Sequence, residues 1–576
     1  MGNTIISFFK VIGKKGKKNL SLFREKGGDR MNSYWIKSVD GKDRSKYDSL
    51  QENIKTDICI IGGGLTGLST AYNLSKYKIK TVLIEKDEIF KQTSGNSTAK
   101  ITSQHGLIYK YLTDSKGIDF ARKYYEANEN AIKSIKNIID QERIDCDFEY
   151  QPAYVFTQKI QDVPKIKDEV EAVNNFGGNA KFVEAKDIPI NKLQSAEYVE
   201  KGTEKLKISG DNIEKENLDL ERDVVKERMK GVIPIKAIAG IEFEKQAQFN
   251  PYKYANSLAK ICSNSGVKIY EHTKAVDVDT EDDDEYYIVT LENGCKIRAK
   301  YIVIATKYPI VNIPGFYFMK MYQSTSYAVA MQIKQRLFEG MYISSEEPTI
   351  SIRTTKFGDE YLLIVVGFDH KTGAQIDLSN SYRYLEEVAK NLYPEGTIKY
   401  HWNTEDCITL DKIPYIGKFS KMWENAYVGA GFNKWGITTS QIAAEIITDQ
   451  ILGEENEYED IFKATRIEPI KNIKEVTNMV KESVNSLFVK KLEVPQEEAN
   501  QIKNGEVKIV EINGQKIGIY KDEKGEIYKV NPVCKHLGCE LSWNNLEKTW
   551  DCPCHGSRYD YKGNLIYGPS VKNLES

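Results

Sequence analysis

The sequence contains no long apolar segment and carries almost no net charge. No run of eighteen apolar residues occurs in its 576 residues, so no transmembrane helix is predicted. Its 81 basic and 83 acidic residues leave a formal net charge of −2, which gives no reason to expect a nucleic-acid partner. We therefore expect a cytoplasmic protein, with peripheral contact to the inner face of a membrane as the open alternative.

Cysteine and histidine are scarce and unevenly distributed. The chain has nine cysteines and six histidines, and five of the cysteines are scattered: Cys59, Cys146, Cys262, Cys295 and Cys407. This spacing excludes the disulfide framework of a small secreted protein. A chain of 576 residues is also too long for one hydrophobic core, so we expect two or three domains.

The first 30 residues are basic and have no clear structural periodicity. The apolar run at 5–9 is too short for the core of a signal peptide, and Ile6 breaks the myristoylation pattern. We interpret residues 1–30 as a disordered extension, or as sequence upstream of a start at Met31. An amphipathic arm on a membrane surface is the alternative.

Two short motifs near the end of the chain each combine cysteine with histidine. They read CKHLGC at 534–539 and CPCHGS at 552–557. Two thiolates with two neutral imidazoles suit a Rieske [2Fe–2S] centre, in which histidine replaces anionic cysteine and raises the reduction potential. Zinc is the competing ion, but Cys-x-His spacing is too short for the usual zinc knuckle, and each motif carries an additional cysteine.

The segment from about Val507 to the C-terminus resembles the Rieske proteins in these motifs and in its final Gly568-Pro569. The resemblance implies one iron held by Cys534 and Cys552 and the other by His536 and His555. It also implies a disulfide between Cys539 and Cys554. Ser557 and Tyr559 stand where high-potential members place hydroxyls that hydrogen-bond the cluster sulfurs and raise the potential.

A nucleotide-binding pattern begins at the apolar run 56–61, which predicts a buried parallel strand. GGGLTG follows at 62–67, then a helical stretch and a second strand that ends in Glu85. In this pattern Gly62 permits a tight turn, Gly64 lets the backbone approach a pyrophosphate, and Gly67 lets helix and strand pack closely. Glu85 accepts a hydrogen bond from a ribose hydroxyl. The pattern predicts a dinucleotide without separating NAD from FAD.

The loop KQTSGNSTAK at 91–100 resembles the loop that crosses the FAD pyrophosphate in D-amino-acid-oxidase-like flavoenzymes, a family that includes glycine oxidase. A strand ending at Thr306 and a glycine-rich loop before a last helix follow in the family's order. Lys307 stands where the family usually has glycine. The resemblance places the following residues at FAD, with the last helix directed at the flavin: Ser94, Thr98, Val276, Gly431, Gly436, Ile437 and Thr438.

Together the two resemblances match a bacterial group of FAD-dependent oxidoreductases with a fused C-terminal Rieske domain, to which TAKITSQHG at 98–106 and DCPCHGSR at 551–558 are similar. The implied fold is α/β and α+β: a Rossmann-like FAD-binding domain, an interleaved antiparallel-sheet substrate domain and an all-β Rieske domain. The predicted boundaries are 31–455 for the flavin part, with substrate-domain pieces at roughly 145–250 and 315–405, then a linker at 456–487 and the Rieske domain at 488–576.

The resemblance implies oxidation of an amine or amino acid at FAD, with electrons leaving singly through the cluster to an acceptor protein or quinone. Tyr327, Arg353 and His370 are the candidate substrate residues, and no catalytic base is assigned. A redox carrier, or a reductase that runs electrons from a partner through the cluster to FAD, remains open. A Rieske oxygenase is disfavoured, because the histidines outside the cluster motifs show no pairing suited to a mononuclear iron.

Overall fold

The computed structural model describes residues 33–39, 44–192, 235–281, 285–378, 380–466, 502–512 and 515–575. The predicted extension at 1–30, residues 467–487 of the predicted linker and residues 488–501 lie outside these ranges. We call residues 33–466 the N-terminal unit and residues 502–575 the C-terminal unit. Within the described ranges, no helix combines the length and the apolar character needed to cross a membrane.

The described part of the chain contains ten α-helices, all in the N-terminal unit: α1 (Tyr34–Ser38), α2 (Leu65–Ser75), α3 (Tyr109–Lys116), α4 (Ile118–Gln141), α5 (Val163–Asn175), α6 (Pro189–Lys192), α7 (Pro251–Asn264), α8 (Ser381–Leu392), α9 (Gly436–Leu452) and α10 (Glu459–Phe462). The longest, α4, has apolar residues at helical spacing that turn one face to the core: Ala131, Ile132, Ile135, Ile138 and Ile139.

The strands of the N-terminal unit are β1 (Ile54–Ile61), β2 (Thr81–Ile84), β3 (Lys100–Ile101), β4 (Glu149–Thr157), β5 (Lys181–Glu184), β6 (Ala239–Gln248), β7 (Lys268–Tyr270), β8 (Ala275–Glu281), β9 (Tyr286–Leu291), β10 (Lys296–Lys307), β11 (Met321–Ile333), β12 (Met341–Ser344), β13 (Ile350–Phe357), β14 (Glu360–Lys371), β15 (Thr397–Thr409), β16 (Tyr415–Lys418) and β17 (Ala426–Ala430).

An eight-stranded sheet forms the first layer, with strand order β16-β17-β10-β1-β2-β7; β9 also pairs with β10, and β8 pairs with β9. Strands β17, β10, β1, β2 and β7 run parallel. Strand β1 is buried on both faces, as is usual where helices and strands cover a parallel sheet. Ile58 and Ile60 pack in the core that holds α2 and α9, whereas Cys59 and Ile61 pack on the opposite face.

A nine-stranded sheet forms the second layer, with order β15-β11-β14-β13-β12-β4-β6-β3 and β5 beside β6. Its pairings are antiparallel apart from the parallel pair of β12 and β4. Helix α8 packs on β11 and β14. The strands of this sheet are interleaved along the chain with those of the parallel sheet, as the resemblance implied.

The C-terminal unit contains only β-strands among its described residues: β18 (Val507–Ile512), β19 (Gln515–Lys521), β20 (Ile527–Val530), β21 (Ser542–Asn544), β22 (Thr549–Asp551), β23 (Arg558–Asp560) and β24 (Leu565–Tyr567). They form a three-stranded and a four-stranded antiparallel sheet. The buried ring of Trp550 lies against Gly518, where an added Cβ would stand 2.4 Å from the indole.

The predicted fold class, α/β and α+β with an all-β C-terminal domain, is confirmed.

Candidate functional site

The two cysteine–histidine motifs form two similar loops at one end of the C-terminal unit. The first loop follows β20 and the second connects β22 to β23. Gly538 N donates to Cys534 O at 2.9 Å, and Gly556 N donates to Cys552 O at 3.0 Å. Both glycines have left-handed backbones, with φ of 78° and 76°. Each loop therefore closes on itself and presents its cysteine and histidine on the side of the other loop.

The four predicted ligands lie together. The His536 and His555 rings are 4.9 Å apart and perpendicular, and the Nδ1 atom of each is buried without a hydrogen-bond partner. A hydrogen bond between the two thiols lowers the pKa of Cys534 to about 6 and raises that of Cys552. Burial lowers the pKa of His536 to about 4 and that of His555 to about 3, so both imidazoles are neutral at pH 7. Neutral imidazoles and a thiol that ionises readily fit a [2Fe–2S] cluster.

The remaining residues of the two motifs surround these donors. Cys539 and Cys554 form a disulfide with a Cα–Cα distance of 6.6 Å. The Tyr559 hydroxyl lies 3.6 Å from Cys534 Sγ and accepts a hydrogen bond from Lys535 N at 3.2 Å. Ser557 Oγ accepts from Ser570 N at 3.2 Å. Both hydroxyls also contribute to the lowered pKa of Cys534, after the larger effect of Cys552.

The cluster loops are seated on the N-terminal unit. His536 Nε2 is 2.6 Å from Asn312 Oδ1, and Gln323 Nε2 donates to His555 O at 3.2 Å. The Phe318 ring meets both imidazoles edge-on, at 6.2 Å from His536 and 5.8 Å from His555. Both histidines therefore contact the segment of the N-terminal unit that leads into β11 and forms its start.

A cavity lies at the carboxyl ends of β1, β2 and β10, where α/β sheets bind nucleotides. Gly62 has a φ of 116°, and an added Cβ would stand 2.6 Å from Ala305 O. Glu85 is buried and accepts from Gly63 N at 2.8 Å. At Gly64 an added Cβ would stand 3.3 Å from Ser94 Oγ, so the bare backbone leaves room between the two loops. These features fit FAD, whose pyrophosphate needs close approach to the backbone.

The predicted FAD residues divide into those that line the cavity and those that support it. Seven of them line it: Gly62, Gly64, Glu85, Ser94, Thr98, Gly436 and Ile437. Gly67 and Gly431 instead pack closely, because a Cβ would stand 2.0 Å from Gly62 O and 2.3 Å from Thr409 Cγ2 respectively. Thr438 Oγ1 donates to Thr102 O at 3.3 Å, and Ala275 rather than Val276 lines the cavity.

Lys307 stands at a position where the family usually has glycine, and the backbone conformation there shows why glycine is usual. Its backbone has a φ of 66°, the left-handed conformation that favours glycine. Its Nζ donates to Thr93 Oγ1 at 2.6 Å, which connects the end of β10 to the loop at 91–100.

The three predicted substrate residues lie away from the cavity lining. Arg353 is fully buried, and its Nη1 donates to Thr98 O at 2.9 Å and Ala99 O at 2.7 Å, so it holds the loop from behind. Tyr327 and His370 stack on each other near the C-terminal unit. Ser326 lines the cavity instead of Tyr327, because neighbouring residues of a strand point to opposite faces.

Lys100 is the functional candidate that the sequence did not single out. It lines the cavity, and its Nζ donates to Tyr342 O and Ser351 Oγ, both at 2.7 Å. Burial, and then the charge of Arg353, lower its pKa to about 7. Among the described residues, no carboxylate contributes to this shift of the Lys100 pKa. A lysine in a polar loop gives no sequence signal of such burial.

Trp435 is a second cavity residue that the sequence did not single out. Its ring stacks on His105 at a centroid distance of 4.7 Å. His105 is buried between the Tyr124 hydroxyl and Thr102 O, and burial lowers its pKa to about 3. Neutral His105 therefore supports the Trp435 ring, which lines the cavity. This contact gives the TSQHG part of the motif at 98–106 a structural role.

Comparison with known families and proteins identifies a family for each of two regions of the chain. The family described as FAD dependent oxidoreductase matches residues 57–450, and the Rieske [2Fe-2S] domain matches residues 493–576. A Rieske 2Fe-2S iron-sulfur protein of Bacillus subtilis (strain 168), YhfW, is 35% identical over 94% of this chain and 97% of its own length.

Two more distant proteins each match 72% of the chain. Gamma-glutamylputrescine oxidoreductase of Escherichia coli (strain K12) is 20% identical over 72% of this chain and 87% of its own length. The crystal structure of glycine oxidase from Geobacillus kaustophilus superposes with a TM-score of 0.56 at 14% identity, covering 72% of this chain and all of that one. At that identity the likeness shows the fold alone.

Proposed function

Because the chain belongs to the family of FAD-dependent oxidoreductases and carries a C-terminal Rieske [2Fe–2S] domain, we propose that it dehydrogenates an amine or amino acid and passes the electrons singly through the cluster to an acceptor. The cofactors are FAD and a [2Fe–2S] cluster. The acceptor in this proposal is a one-electron carrier protein or a quinone.

The observation that carries the electron route is the docking of the cluster loops beside the flavin cavity. His536 and His555 face Asn312, Gln323 and Phe318 of the N-terminal unit. The cavity that Gly62 and Gly64 line is also lined by residues between 565 and 571 of the C-terminal unit. Both binding regions therefore border the same domain interface, which supports electron transfer within one molecule.

The polar residues of the cavity support a substrate with a carboxylate. Lys100 has two of its three possible hydrogen bonds satisfied within the described structure, and no acidic side chain neutralises it. Its remaining N–H can donate to an anionic oxygen. Lys434 is less suited to this role, since its Nζ is paired with Asp369 at 2.8 Å. This difference favours an amino acid over a simple amine.

The chemistry divides between the cofactors and the chain. When bound, FAD accepts the two electrons of a C–H bond and can release them one at a time, and a Rieske cluster carries one. The chain aligns the substrate: Lys100 orients the carboxylate, Trp435 bounds the cavity, and Ser326 and Thr404 offer hydroxyls. Residues of both units line the cavity, which limits the access of water to the reacting bond.

The test is anaerobic reduction of the purified protein by a panel of amino acids and amines, followed by flavin absorbance. We expect at least one amino acid to bleach the flavin, and its decarboxylated amine to do so with a much larger KM. If none of the panel bleaches a flavin that dithionite does reduce, the dehydrogenase proposal fails. Reduction of that flavin by a reduced partner protein would then support the carrier or reductase alternative.

A further inference from the structure

The last turn of the C-terminal unit forms part of the wall of the flavin cavity. The cavity lining includes five of its residues: Leu565, Tyr567, Gly568, Ser570 and Val571. Residues of the GGGLTG turn and of the end of β2, about 500 positions earlier in the chain, line the same cavity, among them Gly64 and Glu85. We call residues 565–571 the wall segment.

Two lysines of the N-terminal unit hold the wall segment in place. Lys86, the residue after the ribose-binding candidate Glu85, donates from Nζ to Ile566 O at 2.9 Å. Lys307 Nζ lies 5.0 Å from the centre of the Tyr567 ring, a cation–π contact. Tyr567 is 6% exposed and Ser570 is 3% exposed, so the segment is packed into the molecule and does not lie loosely on its surface.

The opposite side of the wall segment contacts the cluster loop. Ser570 N donates to Ser557 Oγ at 3.2 Å. Gly568 has a φ of 121°, and an added Cβ would stand 2.4 Å from Ser557 Cα. Only glycine permits this close approach, so the turn at 568–569 sets the wall segment directly against the loop that carries Cys552 and His555.

We propose that the wall segment completes the FAD site, so that FAD binds tightly only when the C-terminal unit is docked, and bound FAD in turn holds the wall segment against the cluster loop. Binding that requires two units to be in contact stabilises that contact by the same free energy. The proposal depends on FAD as the cofactor and is independent of which substrate is oxidised.

The first test uses full-length protein that retains its cluster. FAD is removed, and the dissociation constant is measured by re-addition. We expect Tyr567→Ala to weaken FAD binding at least tenfold and Lys86→Met about threefold. The controls are Tyr561→Ala, a tyrosine of the same unit that packs on Tyr520 and Tyr528, and Lys110→Met, whose lysine pairs with Asp114 on the surface of α3. Both controls should bind FAD as the wild type does.

Iron content and the Rieske electron paramagnetic resonance (EPR) signal show whether each variant keeps a folded C-terminal unit. An unchanged FAD dissociation constant in cluster-containing Tyr567→Ala overturns the proposal. If Tyr567→Ala loses its cluster, hydrogen exchange of the wild-type protein with and without FAD decides the matter, because no variant is involved.

A second measurement needs no variant. Hydrogen exchange of peptides covering 565–571 is compared in the wild-type protein with and without FAD. We expect exchange to slow at least tenfold when FAD binds, while peptides covering 515–530 in the same unit remain unchanged. Equal exchange of the wall segment with and without FAD would contradict the proposal.

Discussion

At the scale of single residues, Tyr559 is the candidate for tuning the reduction potential of the cluster. Its hydroxyl lies 3.6 Å from Cys534 Sγ, close enough for a weak hydrogen bond to sulfur. Such a bond stabilises the reduced cluster, which carries more negative charge, and so raises the reduction potential. The disulfide between Cys539 and Cys554 joins the two cluster loops, and the Tyr559 and Ser557 side chains are both fully buried.

We predict that Tyr559→Phe lowers the reduction potential of the cluster. A hydrogen bond worth about 1 kcal/mol corresponds to roughly 40 mV for a one-electron couple. The measurement is a redox titration followed by EPR, with Tyr528→Phe as the control, because that tyrosine bonds Glu526 on the surface. An unchanged reduction potential in Tyr559→Phe would show that the hydroxyl does not tune the cluster.

Lys100 leads to a prediction about pH. Its pKa is lowered to about 7 by burial, so it loses its positive charge as the pH rises through neutrality. An anion held by Lys100 must therefore bind more weakly at high pH. We expect the dissociation constant of acetate, measured by perturbation of flavin absorbance, to rise roughly twentyfold between pH 6.5 and 8.5.

Two controls identify Lys100 as the source of this dependence. Lys100→Met should bind acetate weakly and with no pH dependence over the same range. Neutral acetamide, which has nearly the same shape, should bind the wild type equally at both pH values. The same pH dependence in wild type and Lys100→Met would assign the anion site to another residue.

At the scale of secondary-structure elements, the turn from β1 into α2 carries the FAD site. The sequence predicted this turn, because the apolar strand, the glycines and the acid at the end of β2 are all local signals. Gly67 has its effect through packing, since an added Cβ would stand 2.0 Å from Gly62 O. A side chain there must separate α2 from the turn.

We expect Gly67→Ala to weaken FAD binding by at least tenfold, measured as flavin content after purification and by re-addition of FAD. Ser69→Ala in the same helix adds no atom and serves as the control. Purification of Gly67→Ala with a full complement of FAD would show that α2 can shift without loss of the site.

Other features at this scale depend on which face of a strand meets which neighbour. The positions of Tyr327, Arg353 and His370 in the second sheet could be anticipated, but their surroundings could not. Tyr327 lies on the opposite face of β11 from Ser326, and Arg353 is covered by the loop at 98–99. The contact between Arg353 and that loop joins segments about 250 residues apart, so no local pattern in the sequence encodes it.

At the scale of the whole molecule, a buried ion-pair network joins the two units. Arg558 is 1% exposed, pairs with Asp551 of its own unit at 3.0 Å and forms an ion pair with Glu405 of the N-terminal unit. Its Nη1 also donates to Asn403 at 3.2 Å. The sequence predicted the two units but not the contact between them, because that contact joins side chains about 150 residues apart.

We predict that Glu405→Gln loosens the docking. The substitution removes the charge-assisted hydrogen bond between Glu405 and Arg558, a loss on the order of 1.5–3 kcal/mol, while Asp551 still neutralises the buried guanidinium. Hydrogen exchange of the peptides covering β22 and β23 should become faster. Glu540→Gln is the control, since its pair with Lys516 is exposed and contributes little. Unchanged exchange in Glu405→Gln would show that other contacts hold the units together.

The most direct measurement follows both cofactors in one sample. The oxidised protein is mixed anaerobically with the amino acid that bleaches the flavin, frozen at intervals and examined by EPR. We predict that the Rieske signal grows as the flavin absorbance falls, and that Cys552→Ser shows bleaching without the signal. A flavin that is fully reduced while the wild-type cluster stays oxidised would contradict electron transfer between the two units.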